Sequence, residues 1–373
     1  MGERATGKTE PAVELPDAAW RARFRRRLRS WYAAHARDLP WRRSSDPYAI
    51  WISEVMLQQT QVAAVEPYFL RFCEAFPTIE ALAAAREQDV LRLWEGLGYY
   101  RRARDLHAAA RWIVARHGGE FPRDAAAVLA LPGVGRYTAG AILSIAFGAR
   151  EPILEANTAR LFSRLLAYRG PVGSASAGRM LWAMAEAVLP RRGAGAFNQA
   201  LMELGSQVCT PKTPRCAGCP VAPLCRANAL GVQAEIPQAR PKPAFEQLHE
   251  AALVVRRGGR VLIVRRPEGG RWAGLWDFPR YPIDHQPAPA LFPILRQRLR
   301  EHTGVDAQPG EHLKRIRHGV TRFRITLDCY TARFLAAERR GPGGAELAWA
   351  TPGRLNEYPL SSTGRKLAQL AAG

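Results

Sequence analysis

Four cysteines lie within one short segment of the chain, at a spacing that favours a metal site. Four thiolates can hold a zinc ion or a [4Fe–4S] cluster, and their unequal spacing differs from the paired C-x2-C knuckles of zinc ribbons. The pattern C-x6-C-x2-C-x5-C consists of Cys209, Cys216, Cys219 and Cys225. The other two cysteines, Cys73 and Cys329, stand alone among apolar residues and are expected to be ordinary buried thiols.

A turn with two glycines one residue apart is the second chemical feature. The run from Leu131 to Ala139 is Leu-Pro-Gly-Val-Gly-Arg-Tyr-Thr-Ala, and it joins two apolar segments with helical character. This arrangement is typical of a helix–hairpin–helix motif, in which N–H groups at the start of the second helix bind a DNA phosphate. A plain connector is the alternative. In a basic helical protein the run favours the motif, so Gly133 and Gly135 are predicted to contact DNA.

These motifs need a helical scaffold, and the residue pattern predicts one. Alanine- and leucine-rich segments broken by proline and glycine continue to about Ala229 with almost no strand-like alternation. Near the N-terminus, apolar residues at helical spacing alternate with arginines that contact phosphate or form a solvated face. We predict a disordered tail at 1–16 and an all-α domain at 17–229, with the hairpin at 125–148 and the cysteine loop at 209–225.

The composition and residue pattern of the C-terminal third differ from those of the helical part. Prolines at 237, 241 and 243 give residues 230–247 the composition of a linker. Beyond them, β-rich runs are found at 251–255, 261–264 and 324–330, with a helix-like segment at 290–302. The sequence therefore predicts a separate α+β domain at 248–373.

The charge of the chain points to a polyanionic partner. Lys and Arg number 54 against 33 Asp and Glu, a formal net charge of +21. Such a charge attracts nucleic acid, although a protein from a basic proteome would share it. No apolar stretch is long enough to cross a bilayer and no signal peptide is evident. We expect a monomeric bacterial protein of the cytoplasm, associated with the nucleoid and not with a membrane.

From Asp38 onward the chain resembles the MutY family of adenine DNA glycosylases, within the helix–hairpin–helix, endonuclease III-like superfamily. Besides the two motifs above, the resemblance rests on segments 39–42, 51–60, 96–100, 196–199 and 272–279. It implies a [4Fe–4S] cluster on the four cysteines and a C-terminal MutT-like (Nudix) domain. The implied activity is hydrolysis of the bond between adenine and deoxyribose, in double-stranded DNA where adenine faces 8-oxoguanine or guanine.

The resemblance also assigns two carboxyl groups. Glu54 takes the place of the general acid, and a partly desolvated carboxyl has the raised pKa that suits protonation of the leaving adenine. A second carboxylate should stabilise the cation that develops at the sugar. The family has Asp-Gly-Asn there, whereas this chain has Glu155, Ala156 and Asn157. Glu155 preserves the charge with one more methylene.

Other roles follow from matching positions. Tyr137 and Asn157 should support Glu155 by hydrogen bonds, although Asn157 could instead be only a helix N-cap. The endonuclease III type carries a lysine where Tyr137 stands, and no lysine lies between Lys8 and Lys212. We therefore expect an abasic product without lyase cleavage. The matching adenine-pocket positions are Arg37, Leu39, Trp41 and Gln199, and the further DNA-contacting positions are Arg42, Leu57, Gln58, Gln59 and Tyr99.

The C-terminal domain departs from its relatives at two places. Residues 299–304 retain one glutamate of the acidic run that binds metal in Nudix hydrolases, so hydrolase activity is not expected. Where the family commonly has Phe-Ser-His to recognise oxidised guanine, this chain has Val320, Thr321 and Arg322, and the last two are the expected contacts. A glycosylase for another mismatch and a catalytically silent lesion-binding protein are the alternatives.

Overall fold

A computed structural model of the chain describes residues 14–238, 244–284, 288–337 and 344–372. Most of the tail predicted at 1–16 and part of the linker predicted at 230–247 lie outside these ranges. The chain divides into two compact units, Met1–Cys73 with Ala109–Pro241 and Glu74–Ala108 with Lys242–Gly373. No helix in the described ranges is both long and apolar enough to cross a membrane.

Most of the described residues before 230 are helical. Short 3-10 helices lie at Pro40–Arg42, Cys216–Gly218, Ala222–Leu224 and Pro352–Glu357. The α-helices of the described ranges are α1 (Ala18–His35), α2 (Pro47–Leu57), α3 (Val62–Ala75), α4 (Ile79–Ala84), α5 (Glu87–Leu93), α6 (Arg101–His117), α7 (Ala125–Leu129), α8 (Arg136–Phe147), α9 (Ala156–Leu166), α10 (Ala175–Val188), α11 (Ala194–Gln207), α12 (Arg226–Ala229), α13 (Ala288–Thr303) and α14 (Ser362–Ala372).

The strands of the described residues form one sheet in the C-terminal part. Its order is β3-β2-β1-β6-β5, with β4 also paired to β1 and β7 to β2. Only β1 and β6 are parallel among these pairs, and β5 and β6 form a long hairpin that closes with Val320 opposite Phe323. The strands are β1 (Glu246–Arg257), β2 (Arg260–Arg265), β3 (Trp276–Asp277), β4 (Arg280–Pro282), β5 (Val305–Val320), β6 (Phe323–Ala337) and β7 (Leu347–Ala350).

The core of the first unit forms where α1, α9, α10 and α11 pack together. Phe24 and Leu28 of α1 are fully buried there, as their helical spacing predicts. The arginines of α1 are not simply a solvated face. Arg25 donates to the carbonyl oxygens of Ala187, Val188 and Leu189, which are acceptors left free at the end of α10. At least this arginine is structural.

Both faces of the sheet are covered in the second unit. Alternate residues of β1 point to opposite faces, so Leu253 packs with Leu295 of α13 and Val254 packs with Leu367 of α14. Helix α13 contains the segment predicted as helical at 290–302. The strands β1, β2 and β6 contain the predicted β-rich runs and extend beyond them at both ends.

The boundary between the units differs from the predicted one in one respect. Residues 74–108 belong with the C-terminal residues rather than with the helical domain predicted at 17–229. Within this unit Glu95 receives two hydrogen bonds of 2.7 Å from Arg365, and Gln88 accepts one of 2.9 Å from the indole of Trp276. Contacts between residues so far apart in sequence leave no periodic pattern in residues 74–108 or in the C-terminal residues, so the sequence does not predict this grouping.

Candidate active site

One cavity of about 400 Å³ in the first unit brings together five segments that are distant in sequence. Its walls come from residues 37–42, 50–62, 137–145, 155–157 and 199–206. Twelve of the residues singled out by sequence line it: Arg37, Leu39, Trp41, Arg42, Glu54, Leu57, Gln58, Gln59, Tyr137, Glu155, Asn157 and Gln199.

Glu54 projects from α2 into this cavity. Asp46 caps the helix by accepting from the N–H groups of Tyr48 and Ala49, and Glu54 as a whole is 5% exposed. The hydroxyl of Tyr137 donates to Glu54 Oε2 at 2.6 Å. Burial raises the pKa of Glu54 to about 7, although the hydrogen bond from Tyr137 opposes this rise. A carboxyl group with this pKa can hold and release a proton near neutral pH.

Glu155 is the N-cap residue of α9. Its two carboxylate oxygens accept from the N–H groups of Asn157 at 2.7 Å and Thr158 at 2.8 Å, and Thr158 Oγ1 accepts from the N–H of Glu155 in return. Burial raises the pKa of Glu155, while these backbone hydrogen bonds and Arg160 oppose the rise. The helix terminus also favours a negative charge at this position.

One of the two predicted contacts of the supporting residues is different in the structure, and the other is present. Tyr137 was expected to bind Glu155, but its hydroxyl binds Glu54, because it projects from α8 toward α2. Asn157 was considered as an N-cap, but that place is taken by Glu155, two residues earlier. Asn157 supports Glu155 through its backbone N–H, as the first of the two hydrogen bonds above.

A chain of hydrogen bonds links Asn157 to the cysteine loop. Arg160 Nη2 donates to Asn157 Oδ1 and to the carbonyl of Gly205, both at 2.8 Å, and Arg160 Nε donates to the carbonyl of Cys209 at 2.7 Å. Gly205 is required for this packing, since a Cβ atom there would lie 2.8 Å from the Cβ of Asn157. The position of Asn157 therefore depends on α9, α11 and the start of the cysteine loop.

Glu203 on α11 is a functional candidate that sequence reasoning missed. It is fully buried, and its carboxylate accepts from Arg37 Nε at 2.7 Å, Arg37 Nη2 at 2.8 Å and Arg42 Nη2 at 2.9 Å. Burial alone would raise the pKa of Glu203, but these hydrogen bonds and charges outweigh it and lower that pKa. A lone acid between Met202 and Leu204 was the available signal.

The remaining cavity residues provide apolar surface and amide groups. Trp41 is 6% exposed and packs edge-on against Phe69 with ring centroids 5.4 Å apart. The hydroxyl of Tyr32 donates to Gln199 Oε1 at 2.9 Å, which leaves the amide N–H groups of Gln199 free to donate. Flat surface beside a fixed amide suits recognition of a nucleobase.

The glycine turn has the geometry expected of the hairpin motif. Helices α7 and α8 flank it, Gly133 has a φ of +73° and Gly135 is the N-cap residue of α8. A side chain at Gly133 would strain the left-handed backbone. The N-cap residue Gly135 has no side chain with which to cap α8, so the first N–H groups of this helix can bind an anion.

The four cysteines of the loop line one small cavity together. Arg164 is fully buried beside them and donates from Nη1 to Cys209 Sγ at 3.2 Å and to the carbonyl of Thr210 at 2.7 Å. No three His, Cys, Asp or Glu side chains in the described ranges are gathered closely enough to hold a single metal ion. Four thiols that line one cavity are a donor set that could hold a metal centre.

The other predicted contact residues lie in the second unit. Tyr99 is 49% exposed and has a φ of +49°, and the guanidinium carbon of Arg102 lies 5.5 Å from its ring centroid. Thr321 and Arg322 form the turn between β5 and β6, where Thr321 has a φ of +50°. Arg322 pairs with Glu246 at 2.9 Å in an exposed ion pair, which is easily exchanged for another partner.

Comparisons with known proteins find two families along the chain. Residues 52–180 match the HhH-GPD superfamily of base excision DNA repair proteins, and residues 251–370 match the NUDIX domain. The structure of a thermostable thymine-DNA glycosylase is similar with a TM-score of 0.51 and 29% identity, covering 57% of this chain and all of that one. The fold is that of a helix–hairpin–helix DNA glycosylase with a C-terminal Nudix-like domain.

Relatives that align with two thirds or more of the chain narrow this class. The adenine DNA glycosylase of Homo sapiens is 35% identical, covering 96% of this chain and 75% of its own length. That of Rattus norvegicus is 34% identical with coverages of 92% and 77%, and that of Buchnera aphidicola (Schizaphis graminum) is 35% identical with coverages of 69% and 75%. The chain belongs to the adenine DNA glycosylase family. The prediction of a DNA glycosylase is confirmed.

Proposed function

We propose that this protein removes adenine paired with 8-oxoguanine or guanine from double-stranded DNA by hydrolysing the N-glycosidic bond, and that it leaves an abasic site. The observation that carries the proposal is the pair of carboxyl groups in one cavity: Glu54, whose pKa of about 7 suits a proton donor, and Glu155, which is held by two backbone N–H groups. Pairs of carboxyl groups in unlike environments divide acid and anion roles.

Glu54 acts first in this proposal. Below pH 7 its carboxyl is mostly protonated, so it donates a proton to a ring nitrogen of the adenine in the cavity. Protonation makes the base a better leaving group. Tyr137 holds the carboxyl by its 2.6 Å hydrogen bond and keeps the proton-bearing group in one orientation.

Glu155 acts on the sugar side. As the C1′–N bond lengthens, positive charge develops on the deoxyribose, and a fixed carboxylate lowers the energy of that state. Glu155 is poised for this role because the N–H groups of Asn157 and Thr158 stabilise its ionised form. Arg160 fixes Asn157, and so it positions the cap that holds Glu155.

Recognition of adenine falls to the opposite wall. Gln199 has free amide N–H groups, and Glu203 with Arg37 and Arg42 forms a polar edge beside Trp41 and Leu39. Leu57, Gln58 and Gln59 enter the duplex near the flipped base. Tyr99 and the Thr321–Arg322 turn examine the opposite base, and the hairpin glycines hold the backbone.

The reaction stops at the abasic site. Strand cleavage by a glycosylase requires an amine nucleophile near the sugar, and no lysine among the described residues lines the cavity. Borohydride should therefore trap no covalent DNA complex in good yield. Trapping that persists after the N-terminal amine is blocked would contradict this point.

The four loop cysteines would hold a [4Fe–4S] cluster. The four thiols that line one cavity, with the buried guanidinium of Arg164 beside Cys209, support an anionic cluster at this place. When bound, the cluster would cross-link the loop to the helical unit. Purified protein should contain about four irons per chain and show a cluster absorbance band that is lost in Cys216→Ala, whereas stoichiometric zinc without iron would reject the cluster.

The experiment that tests the function is single-turnover base release from duplexes with adenine opposite 8-oxoguanine, guanine, cytosine or thymine. We expect release opposite 8-oxoguanine to be fastest and guanine second, with the protein acting as a monomer. Thymine opposite guanine is the matched control for a different mismatch preference. Release of thymine, or equal release of adenine from all four duplexes, would contradict the proposal.

A further inference from the structure

A group of basic side chains surrounds one indole in the second unit. The guanidinium carbons of Arg266, Arg271 and Arg280 lie 6.0, 5.5 and 4.6 Å from the ring centroid of Trp272. The ring centroid of His318 lies 6.1 Å from the same point. These five residues are called the Trp272 cluster below. None of them was singled out as a contact residue by the sequence.

The polar atoms of the cluster that lack partners are all hydrogen-bond donors. Arg271 and Arg280 both bind Glu250, and Arg280 Nη2 lies 3.4 Å from His318 Nε2. Because that ring nitrogen accepts, the proton of the neutral ring is on Nδ1. Buried Arg266 Nε, Arg271 Nη1 and His318 Nδ1 have no partner in the described part of the chain. Three unpaired donors around one ring suit a ligand that accepts hydrogen bonds.

The charges of the cluster point to an anion. Its three arginines face two carboxylates, those of Glu250 and Asp277, and Lys366 is close enough to lower the pKa of His318. Desolvation by burial and the neighbouring cations together hold that pKa at about 4, so His318 is neutral at pH 7. Four cations against two carboxylates leave an excess of positive charge.

The cluster adjoins the turn between β5 and β6. The guanidinium carbon of Arg271 lies 5.0 Å from the ring centroid of Phe323, the residue that follows Arg322. Trp272 also has a φ of +58°, a left-handed backbone that an L-residue adopts only under constraint. The donors are thus fixed beside the residues proposed to examine the base opposite adenine.

We propose that the Trp272 cluster is a binding site for a phosphate group, held by the unpaired donors of Arg266, Arg271 and His318 with the indole against the attached nucleoside. The phosphate is either part of the DNA strand that carries the oxidised base or part of a free nucleoside monophosphate. The DNA source rests on the proposed function, whereas the nucleotide source does not.

The first measurement compares the salt dependence of DNA binding. Each phosphate contact changes the slope of log K against log salt by about 0.9, so Arg271→Gln should flatten it by about one and weaken binding about tenfold. Arg266→Gln is the second variant, because the ion pairs of Glu250 described above are with Arg271 and Arg280 and not with Arg266. Arg271→Lys should recover part of the binding. Arg260→Gln removes one exposed charge of the same unit, at the start of β2, and is the matched control.

Two further arms separate the sources of the phosphate. In the first, single methylphosphonate linkages are placed along the lesion strand, and a DNA phosphate is indicated if one linkage weakens binding of the unaltered protein but not of Arg271→Gln. In the second, calorimetry with dGMP indicates a nucleotide if the heat saturates and is lost in both Gln variants. The proposal is overturned if Arg271→Gln and Arg266→Gln both match Arg260→Gln in all three measurements and melt at the same temperature as the unaltered protein. Absent base release by the unaltered protein would reject the proposed function instead.

Discussion

Glu54 and Glu203 stand on different walls of one cavity, are almost equally buried, and have pKa values shifted in opposite directions. Around Glu54 the polar partner is a neutral hydroxyl, so burial dominates and the pKa rises to about 7. Around Glu203 two guanidinium groups contact the carboxylate, and its pKa is lowered despite its burial. Burial alone therefore does not decide the protonation of a carboxyl group; the charge of the group that it touches does.

The comparison assigns a different task to each wall. The carboxyl group of Glu54 can exchange a proton during the reaction. The carboxylate of Glu203 stays ionised between Arg37 and Arg42 and holds that side of the cavity in one shape. Glu155 is intermediate, because burial opposes its charge and backbone N–H groups favour it. Four predictions test this division.

The largest effect is expected from Glu54→Gln. The amide has nearly the same shape but cannot donate the acidic proton, so the single-turnover rate of adenine release should fall about a thousandfold. Binding of mispaired DNA should change less than about threefold, as measured by fluorescence anisotropy. A variant that keeps a tenth of the rate would remove Glu54 from the role of general acid.

Glu155→Gln should lower the same rate about a hundredfold or more, because it removes the charge that opposes the developing cation. One of its two cap acceptors is also lost, which should cost about 1 kcal/mol of stability. Glu155→Asp is the companion variant: it keeps both the charge and a favoured capping side chain, so it should melt normally and retain measurable release. Excision by Glu155→Gln at the unaltered rate would falsify the mechanism proposed for the sugar.

Glu203→Gln should act mainly on stability. It leaves the guanidinium groups of Arg37 and Arg42 without their carboxylate, which should lower the free energy of unfolding by about 2 kcal/mol. The loss is limited because the side chain of Arg37 is 31% exposed and water can solvate it.

Glu54→Gln, in contrast, should raise the free energy of unfolding at pH 8. The folded-state pKa of Glu54 is raised, so the unaltered protein loses stability as pH rises from about 4.5 toward 7, and the amide variant avoids that loss. Denaturant titrations at pH 5 and pH 8 measure the free energy of unfolding of each variant. Equal changes in Glu203→Gln and Glu54→Gln would contradict the comparison of the two carboxyl groups.

The smallest effect is expected from Tyr137→Phe. The hydrogen bond from Tyr137 lowers the pKa of Glu54, so its removal should raise that pKa further. Release needs the protonated acid and declines as pH rises through the pKa, so the alkaline limb of the pH–rate profile should move to higher pH. Ser206→Ala, in the same cavity but bonded to Arg37 on the other wall, is the control. A limb that stays in place in Tyr137→Phe would show that the hydrogen bond does not tune the acid.

Local patterns were sufficient to predict much of the fold and one wall of the site. Glu54 stood out as an acid inside an apolar helical run, and the spacing of α1 predicted which residues are buried. The same signal existed at Glu203, but its meaning depends on Arg37 and Arg42, which lie 166 and 161 residues away. A lone buried acid gives no indication of the charge that it will meet.

Two other differences have equally concrete causes. Glutamate is not among the preferred N-cap residues, so the sequence offers Asn157 as an alternative N-cap of α9, a place that Glu155 takes in the structure. Strand β5 was not predicted because its second half carries Lys314, Arg315, Arg317 and His318, which hide the alternation of a strand. Its pairing partner β6 holds it in place, and that pairing is a tertiary property.

The left-handed backbone of Gln59, Tyr99 and Thr321 has a consequence for how the protein tolerates mutation. These are three of the five non-glycine residues with positive φ in the described ranges, and each is proposed to touch DNA. Glycine would relieve about 1 kcal/mol of strain at each of these positions. A library selected for heat resistance alone should therefore accumulate glycine there and lose lesion recognition, while a library selected for repair should retain the strained residues.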